Sequence, residues 1–394
     1  MLRRLCLVVG LLLGACASVP NDSNRAGPAL FHDAWFLPPS EPIDAGRILS
    51  LSEPMRRYLH EWIAPRMRAE GRQTGLFNAL QDSGQLKIEY DATFTRTAAE
   101  AFEARTGNCL SLVLLTAALA HELGLGVQYQ SVLGEQSMSR NGDLVFYNGH
   151  VNLVLNERRS DERVAATGST AMVIDFLPDR ARRGQRVQTA SEQTVIAMYM
   201  NNRAAESLAA GKIDDAYWWA RAAIELEPRH TDTYNTLGVV YRRHGNLPEA
   251  AAIYAYALEL EPGNIAAMSN IIPVLRQLGR DREAGRWSRR LAELQPYPPF
   301  HFFAQGQRAM DAEDFATARD LFRKEIDRAA YYHEFHFWLA LAYVGLHQTD
   351  LARKHFQIAR DNATTQASAR QYQEALEALG PVRRDRSAIS AAGQ

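Results

Sequence analysis

The chain is poor in cysteine. Only Cys6, Cys16 and Cys109 occur among 394 residues. That is too few for a disulfide framework, and no Cys/His cluster has the spacing of a zinc site. A dominant charge is also missing. Lys and Arg number 44 against 45 Asp and Glu, giving a net charge of -1, and the two signs are mixed. That balance argues against a nucleic-acid footprint. Short basic stretches such as Arg180-Ala181-Arg182-Arg183 read as solvated surface. The pair His333 and His336, three residues apart, has no third ligand and reads as repeat surface and packing. No metal or cofactor is expected.

The first residues carry a processing signal. Arg3 and Arg4 precede the apolar run Leu5 to Leu13, which is too short to span a bilayer as a mature helix, and small residues follow. Residues 1–15 therefore read as an export signal. Their junction with the next residue, Leu13-Gly14-Ala15-Cys16, resembles the lipobox of bacterial lipoproteins. The resemblance implies cleavage before Cys16 and lipid modification of that cysteine. With Ala17 rather than Asp behind it, it implies a protein anchored in the cell envelope, at the outer membrane and facing the periplasm. An acyl anchor holds a protein on a membrane without spanning it.

This processing isolates one thiol. The resemblance implies that Cys6 leaves with the signal and Cys16 becomes a thioether, so that Cys109 remains alone in an oxidising compartment. It sits at Gly107-Asn108-Cys109-Leu110-Ser111, the entry to the apolar run Leu110 to Leu125. The run reads as a buried helix with Cys109 in its first turn. Unpaired N–H groups and the positive end of the helix dipole favour a thiolate there. The alternative is an inert core cysteine.

The mature chain divides by composition. Residues 16–30 are polar and small, a tether. Phe31 to Pro42 is aromatic and proline-rich, an irregular arm. Within residues 31–190 the spacing predicts helices over Ser52–Glu70, Gly75–Gln81 and Thr97–Ala104, then the Cys109 helix. Alternation predicts strands at Leu86–Tyr90, Val127–Val132, Leu144–Leu155 and Ala171–Pro178, with a turn at Asn141-Gly142 and a polar loop over Glu157–Thr170. Helices followed by closely spaced strands make an α+β domain with an antiparallel sheet.

From residue 197 the pattern is helical and periodic. Ala216, Ala250, Ala284, Ala318 and Ala352 recur every 34 residues, as do Gly211, Gly245 and Gly279, and Pro228, Pro262 and Pro296. The register is fullest at Tyr234, Leu237, Gly238, Tyr241, Ala250, Tyr254, Ala257 and Pro262. It resembles the tetratricopeptide repeat, an all-α solenoid. Five repeats span 197–366, a capping helix covers 367–379, and 380–394 forms a disordered tail. Trp218-Trp219 reads as packing. The resemblance implies a protein or peptide partner bound by the repeats.

Cys109 at a helix start, His150 in Gly149-His150-Val151-Asn152 and Asp175 in Ile174-Asp175-Phe176 resemble the Cys-His-Asp set of the transglutaminase-like, papain-fold superfamily. The resemblance covers roughly residues 50 to 180. It implies thiol acyl chemistry at an amide carbonyl, with Cys109 as nucleophile, His150 as general base and acid, and Asp175 as the orienting carboxylate. The Cys109 N–H is the natural oxyanion donor. The second donor stays open between Tyr90, Asn108 and others. A rival reading is an adaptor in which the repeats organise envelope or exopolysaccharide-assembly proteins and the thiol does not turn over.

Overall fold

The run behind Cys109 forms helix α6 (Cys109–Glu122), in which every residue from Leu110 to Ala120 is buried. A helix apolar all round belongs inside a protein, and α6 is the spine of the N-terminal half. The computed structural model describes residues 30–81, 86, 88–141, 144–156, 171–176 and 186–380. The export signal, Cys16, the tether up to residue 29, the Glu157–Thr170 loop, the basic stretch at 180–183 and the tail from residue 381 lie outside the described residues.

Helices precede α6. After the short α1 (Ala45–Ile48), α2 (Glu53–Tyr58) runs through a π turn at Leu59–Ile63 into α3 (Ala64–Glu70), and α4 (Arg72–Gln81) packs against it. The predicted single helix over Ser52–Glu70 is continuous but widened at this turn. Pro65 explains the defect, because it has no N–H to give residue 61 and its ring crowds that carbonyl.

Among the described residues of Leu86–Tyr90, predicted as a short strand or extended segment, two pair with a neighbour. β1 (Glu89–Tyr90) lies parallel to β2 (Thr106–Gly107), with Tyr90 opposite Gly107. Between them runs α5 (Ala98–Ala104), started by a capping box of Thr97 and Glu100. Beyond α6, four strands form a sheet of order β5-β4-β3-β6. They are β3 (Gly126–Asn141), β4 (Leu144–Asn156), β5 (Met172–Ile174) and β6 (Arg186–Ala190), all antiparallel. β3 is longer than predicted and runs through the polar stretch to Asn141. β6 was not expected. Its residues Val187, Gln188 and Thr189 are all exposed, so this edge strand lacks the alternation that betrays a half-buried one.

The C-terminal half is a helical solenoid of five hairpins: α7 (Glu192–Ala209) with α8 (Ile213–Leu226), α9 (Thr231–His244) with α10 (Leu247–Leu260), α11 (Ile265–Gln277) with α12 (Asp281–Leu294), α13 (His301–Asp311) with α14 (Phe315–Arg328), and α15 (His333–Gly345) with α16 (Thr349–Asp361). α17 (Gln366–Ala378) closes the stack. The hairpins pack tightly because of their small residues. A Cβ on Gly238 of α9 would lie 2.4 Å from the Tyr254 ring of α10, so no larger residue fits without repacking.

The stack is interrupted once. Between α12 and α13 the chain runs through Pro296, Pro298 and Pro299, and Phe300 adopts a left-handed conformation with φ 60°. The apolar core divides at this point into two clusters. Repeats one to three share a core with the α+β half, while repeats four and five have their own.

The arm after residue 30 lies on the first two repeats. Phe36 stacks on Tyr217 at 3.8 Å between centroids. The Tyr241 hydroxyl donates to the Leu30 carbonyl at 3.0 Å. Asp215 accepts from both the amide and the hydroxyl of Ser40 at 2.6 Å. Trp218 and Trp219 donate their indole N–H groups to the Leu37 carbonyl and to Glu41. The tryptophan pair is therefore packing, and its partner is the arm.

Candidate active site

Cys109 is the first residue of α6 and is partly exposed. Its position is set by the turn before it. Asn108 caps the helix, its side-chain oxygen accepting from the Ser111 amide and hydroxyl, each at 2.9 Å. Gly107 allows that turn to close, since a Cβ there would lie 2.7 Å from the Cβ of Ser111. Arg105, with φ 55°, reverses the chain out of α5.

His150 enters from β4. It pairs with Val132, and immediately beyond this pair the β3–β4 register shifts, the next partners being Ser137 and Asn148. Such bulges re-aim side chains and gather next to sites. Asp175 comes from the end of β5. His150 Nε2 and Asp175 Oδ1 are 2.9 Å apart, and both side chains are buried. The other ring nitrogen, Nδ1, is buried without a partner of ordinary hydrogen-bond geometry. The Cys109 thiol is the neighbour that interacts with this ring. A loose nucleophile–base contact is usual in a site without substrate. The structure thus gathers Cys109, His150 and Asp175 from α6, β4 and β5.

The electrostatics follow from this arrangement. Burial alone would push the His150 pKa down. The Asp175 hydrogen bond and the nearby Cys109 sulfur, with the charges of both, outweigh it and raise the pKa to about 9. The ring therefore favours the imidazolium form at neutral pH.

Tyr90 also lies near the thiol. The pair β1–β2 sets it beside Gly107, and its phenol lies near the Cys109 backbone N–H and thiol. Burial, then the nearby Cys109 charge, push its pKa well above the ordinary phenol value, so it stays a neutral O–H donor. Asn108 differs. Its oxygen is spent on Ser111 and its amide donates to Thr95 Oγ1 at 2.8 Å. Of the donors that the sequence leaves open, which include Tyr90 and Asn108, Tyr90 lies near the thiol and Asn108 is used as a cap.

His333 and His336 do not approach the site. His333 bonds to Tyr372 and Thr364, and His336 to His355 and the Ala330 carbonyl. His336 is buried at 5% exposure, so it is interior packing rather than repeat surface. Among the described residues no cluster of three or more His, Cys, Asp or Glu could hold a metal, and no helix is long and apolar enough to cross a membrane.

The comparisons with known proteins bear on the helical half. Residues 231–264 match the tetratricopeptide repeat family. The helical half is a solenoid of tetratricopeptide type. Similar solved structures include YrrB, described as a tetratricopeptide protein with an unusual peptide-binding site, at 18% identity over 45% of this chain and 92% of that one, with a TM-score of 0.25. MamA is 19% identical over 45% of this chain and 94% of its own, at 0.25. Pseudomonas aeruginosa pilF is 18% identical over 49% and 95%, at 0.27. No curated protein gives a significant match. Tetratricopeptide repeats typically bind a protein or peptide partner, the role these repeats suggest here.

Proposed function

We propose that this chain is a lipid-anchored cell-envelope protein whose tetratricopeptide repeats hold a protein or peptide partner and whose N-terminal half, a transglutaminase-like α+β domain, performs thiol acyl chemistry on an amide. The observation that carries the reading is the Asp175–His150 hydrogen bond at 2.9 Å, with the Cys109 thiol against the same ring. A buried imidazole held by a carboxylate and left one free nitrogen is what a thiol nucleophile requires.

In this mechanism His150 takes the thiol proton through Nδ1 while Asp175 fixes the ring through Nε2. The sulfur attacks the amide carbon, and the carbonyl electrons move to oxygen. The Cys109 N–H and the Tyr90 hydroxyl donate to that oxyanion. Collapse of the intermediate breaks the C–N bond, and His150 gives its proton to the departing amine. The thioester then passes its acyl group to water or to a second amine, with His150 taking the incoming proton. The lipid at Cys16 would hold this site at the membrane surface facing the periplasm.

A second reading is a scaffold without turnover, which organises envelope proteins through its repeats. The observation that favours it is that the family match falls within the repeats.

Alkylation separates the two. A full chain carrying Cys6→Ser and Cys16→Ser has Cys109 as its single thiol, and its reaction with iodoacetamide is followed by mass from pH 5 to 10. Reaction persisting below the ordinary thiol pKa of about 8.5, and losing that profile in His150→Ala, supports the enzyme. An inert thiol, or a profile indifferent to His150, leaves the scaffold.

A further inference from the structure

The cap of the cysteine helix is held from the repeat solenoid. Asn108 fixes the start of α6, and a carboxamide can do so only when its oxygen, not its nitrogen, faces the Ser111 amide. Its nitrogen must then find an acceptor, and that acceptor is the hydroxyl of Thr95, at 2.8 Å. Thr95 is itself only 1% exposed. A hydroxyl has a single proton to give, so its role toward Asn108 depends on where that proton goes.

Two side chains of α7, the first repeat helix, hold Thr95. Glu206 Oε1 accepts the Thr95 backbone N–H at 2.7 Å and so holds the backbone that carries the hydroxyl. Asn202 Nδ2 donates to Thr95 Oγ1 at 3.2 Å. The Thr95 hydroxyl oxygen therefore faces two amide donors, Asn108 Nδ2 and Asn202 Nδ2, and accepts from both. The bonds run in one sense: Glu206 accepts from the Thr95 backbone N–H, the Thr95 hydroxyl accepts from Asn108, and Asn108 accepts from Ser111 at the head of α6. Arg203 keeps Glu206 in place, with Nη1 at 3.3 Å from Oε2.

The far end of the solenoid grips the same segment. The Thr364 carbonyl, just before α17, accepts from the Ala92 amide at 2.8 Å. Gln366 Nε2 donates to Glu89 Oε2 at 2.8 Å, next to Tyr90. The strip Glu89–Arg96, which carries Tyr90 and Thr95, is thus tied to both ends of the repeats.

We propose that Glu206 and Asn202 are positioning residues for Cys109, acting through Thr95 and Asn108, so that the repeats are part of the scaffold of the thiol site and not only a separate binding module. The proposal rests on the thiol chemistry proposed above and specifies what holds that site.

The test uses the same single-thiol full chain and the pH profile of Cys109 alkylation. Thr95→Val removes the hydroxyl, Glu206→Ala removes the carboxylate, and Asn202→Ala removes one donor. Thr95→Ser restores the hydroxyl. Thr95→Val and Glu206→Ala are expected to slow alkylation at pH 6 by about tenfold, the scale of one lost hydrogen bond, and to move the profile toward higher pH. Asn202→Ala has a smaller effect in the same direction, and Thr95→Ser retains the parent profile. The proposal is overturned if the parent shows the acid-shifted, His150-dependent profile and the Thr95, Glu206 and Asn202 variants keep it. It is equally overturned if Thr95→Ser is as impaired as Thr95→Val. A parent without that profile sinks the thiol reading itself, and this proposal with it. Circular dichroism melts of each variant identify any loss of fold, in which case the milder Asn202→Ala decides.

Discussion

His150 and Asp175, 25 residues apart in sequence, meet through a 2.9 Å contact between Nε2 and Oδ1 in the interior. The contact orients one ring nitrogen and leaves the other toward Cys109. It also reverses what burial would do to the histidine, because burial lowers the pKa and the carboxylate and thiol raise it to about 9.

That reversal has a signature in stability. The folded pKa of His150 lies above the ordinary 6.5 of an unfolded chain, so its contribution is fully present below about pH 6.5 and lost as pH rises through 9. The expected loss is about 3 kcal/mol for a shift of this size. Urea unfolding from pH 6 to 10 should show the parent losing its advantage over His150→Gln across that window. A constant difference between the two would contradict the assignment.

Gly107→Ala should damage the turn before Cys109. The added methyl would meet Ser111, whose amide and hydroxyl both bond to the capping Asn108. The expected cost is about 1–3 kcal/mol of stability, read as a lowered melting temperature, together with slower alkylation of Cys109. Ala98→Gly, in the neighbouring α5, serves as a control that destabilises without touching the turn.

The last repeats should be acid-labile. Burial pushes His333 and His355 down to about 4 and lowers His336. These folded values lie below the unfolded one, so the stability they contribute is present above about pH 6.5 and lost as pH falls toward 4. His333 alone accounts for about 3 kcal/mol at pH 4. Hydrogen exchange at pH 7 and pH 4.5 should show protection falling first in α15, α16 and α17, which with α13 and α14 have a core separate from that of the first three repeats. His333→Gln should reduce the difference.

Phe36→Ala should loosen the arm from the repeats. Phe36 is 6% exposed and stacks on Tyr217. Truncating a buried phenylalanine costs about 3–5 kcal/mol. Limited proteolysis should then cut within residues 30–42 at a rate at which the parent is untouched.

Much of this was legible in the sequence where the signal is periodic or chemically scarce. The 34-residue spacing of Ala216, Ala250, Ala284, Ala318 and Ala352 marks the hairpins, because each alanine must let two helices approach. Cys109, His150 and Asp175 stood out because a lone thiol ahead of an apolar run needs few assumptions. Other features leave no periodic trace. The β1–β2 pair is two residues long, and what places Tyr90 beside Cys109 is a contact across α5. The break after α12 was hidden because Pro296 keeps the repeat spacing even where the stack opens. The first repeat helix begins at Glu192 rather than residue 197 because Ser191 caps it, ahead of the periodic positions. The destination of the arm was not readable, since Phe36 and Tyr217 carry no pattern that pairs them.

The most direct test of the account is the titration of His150 itself, by NMR of histidine-labelled protein, with His150→Gln assigning the resonance. The account predicts a pKa near 9 in the parent and a clear fall in Asp175→Asn, where burial is opposed by less charge. A His150 that titrates at or below 6.5 in the parent, or that ignores the loss of Asp175, would contradict it.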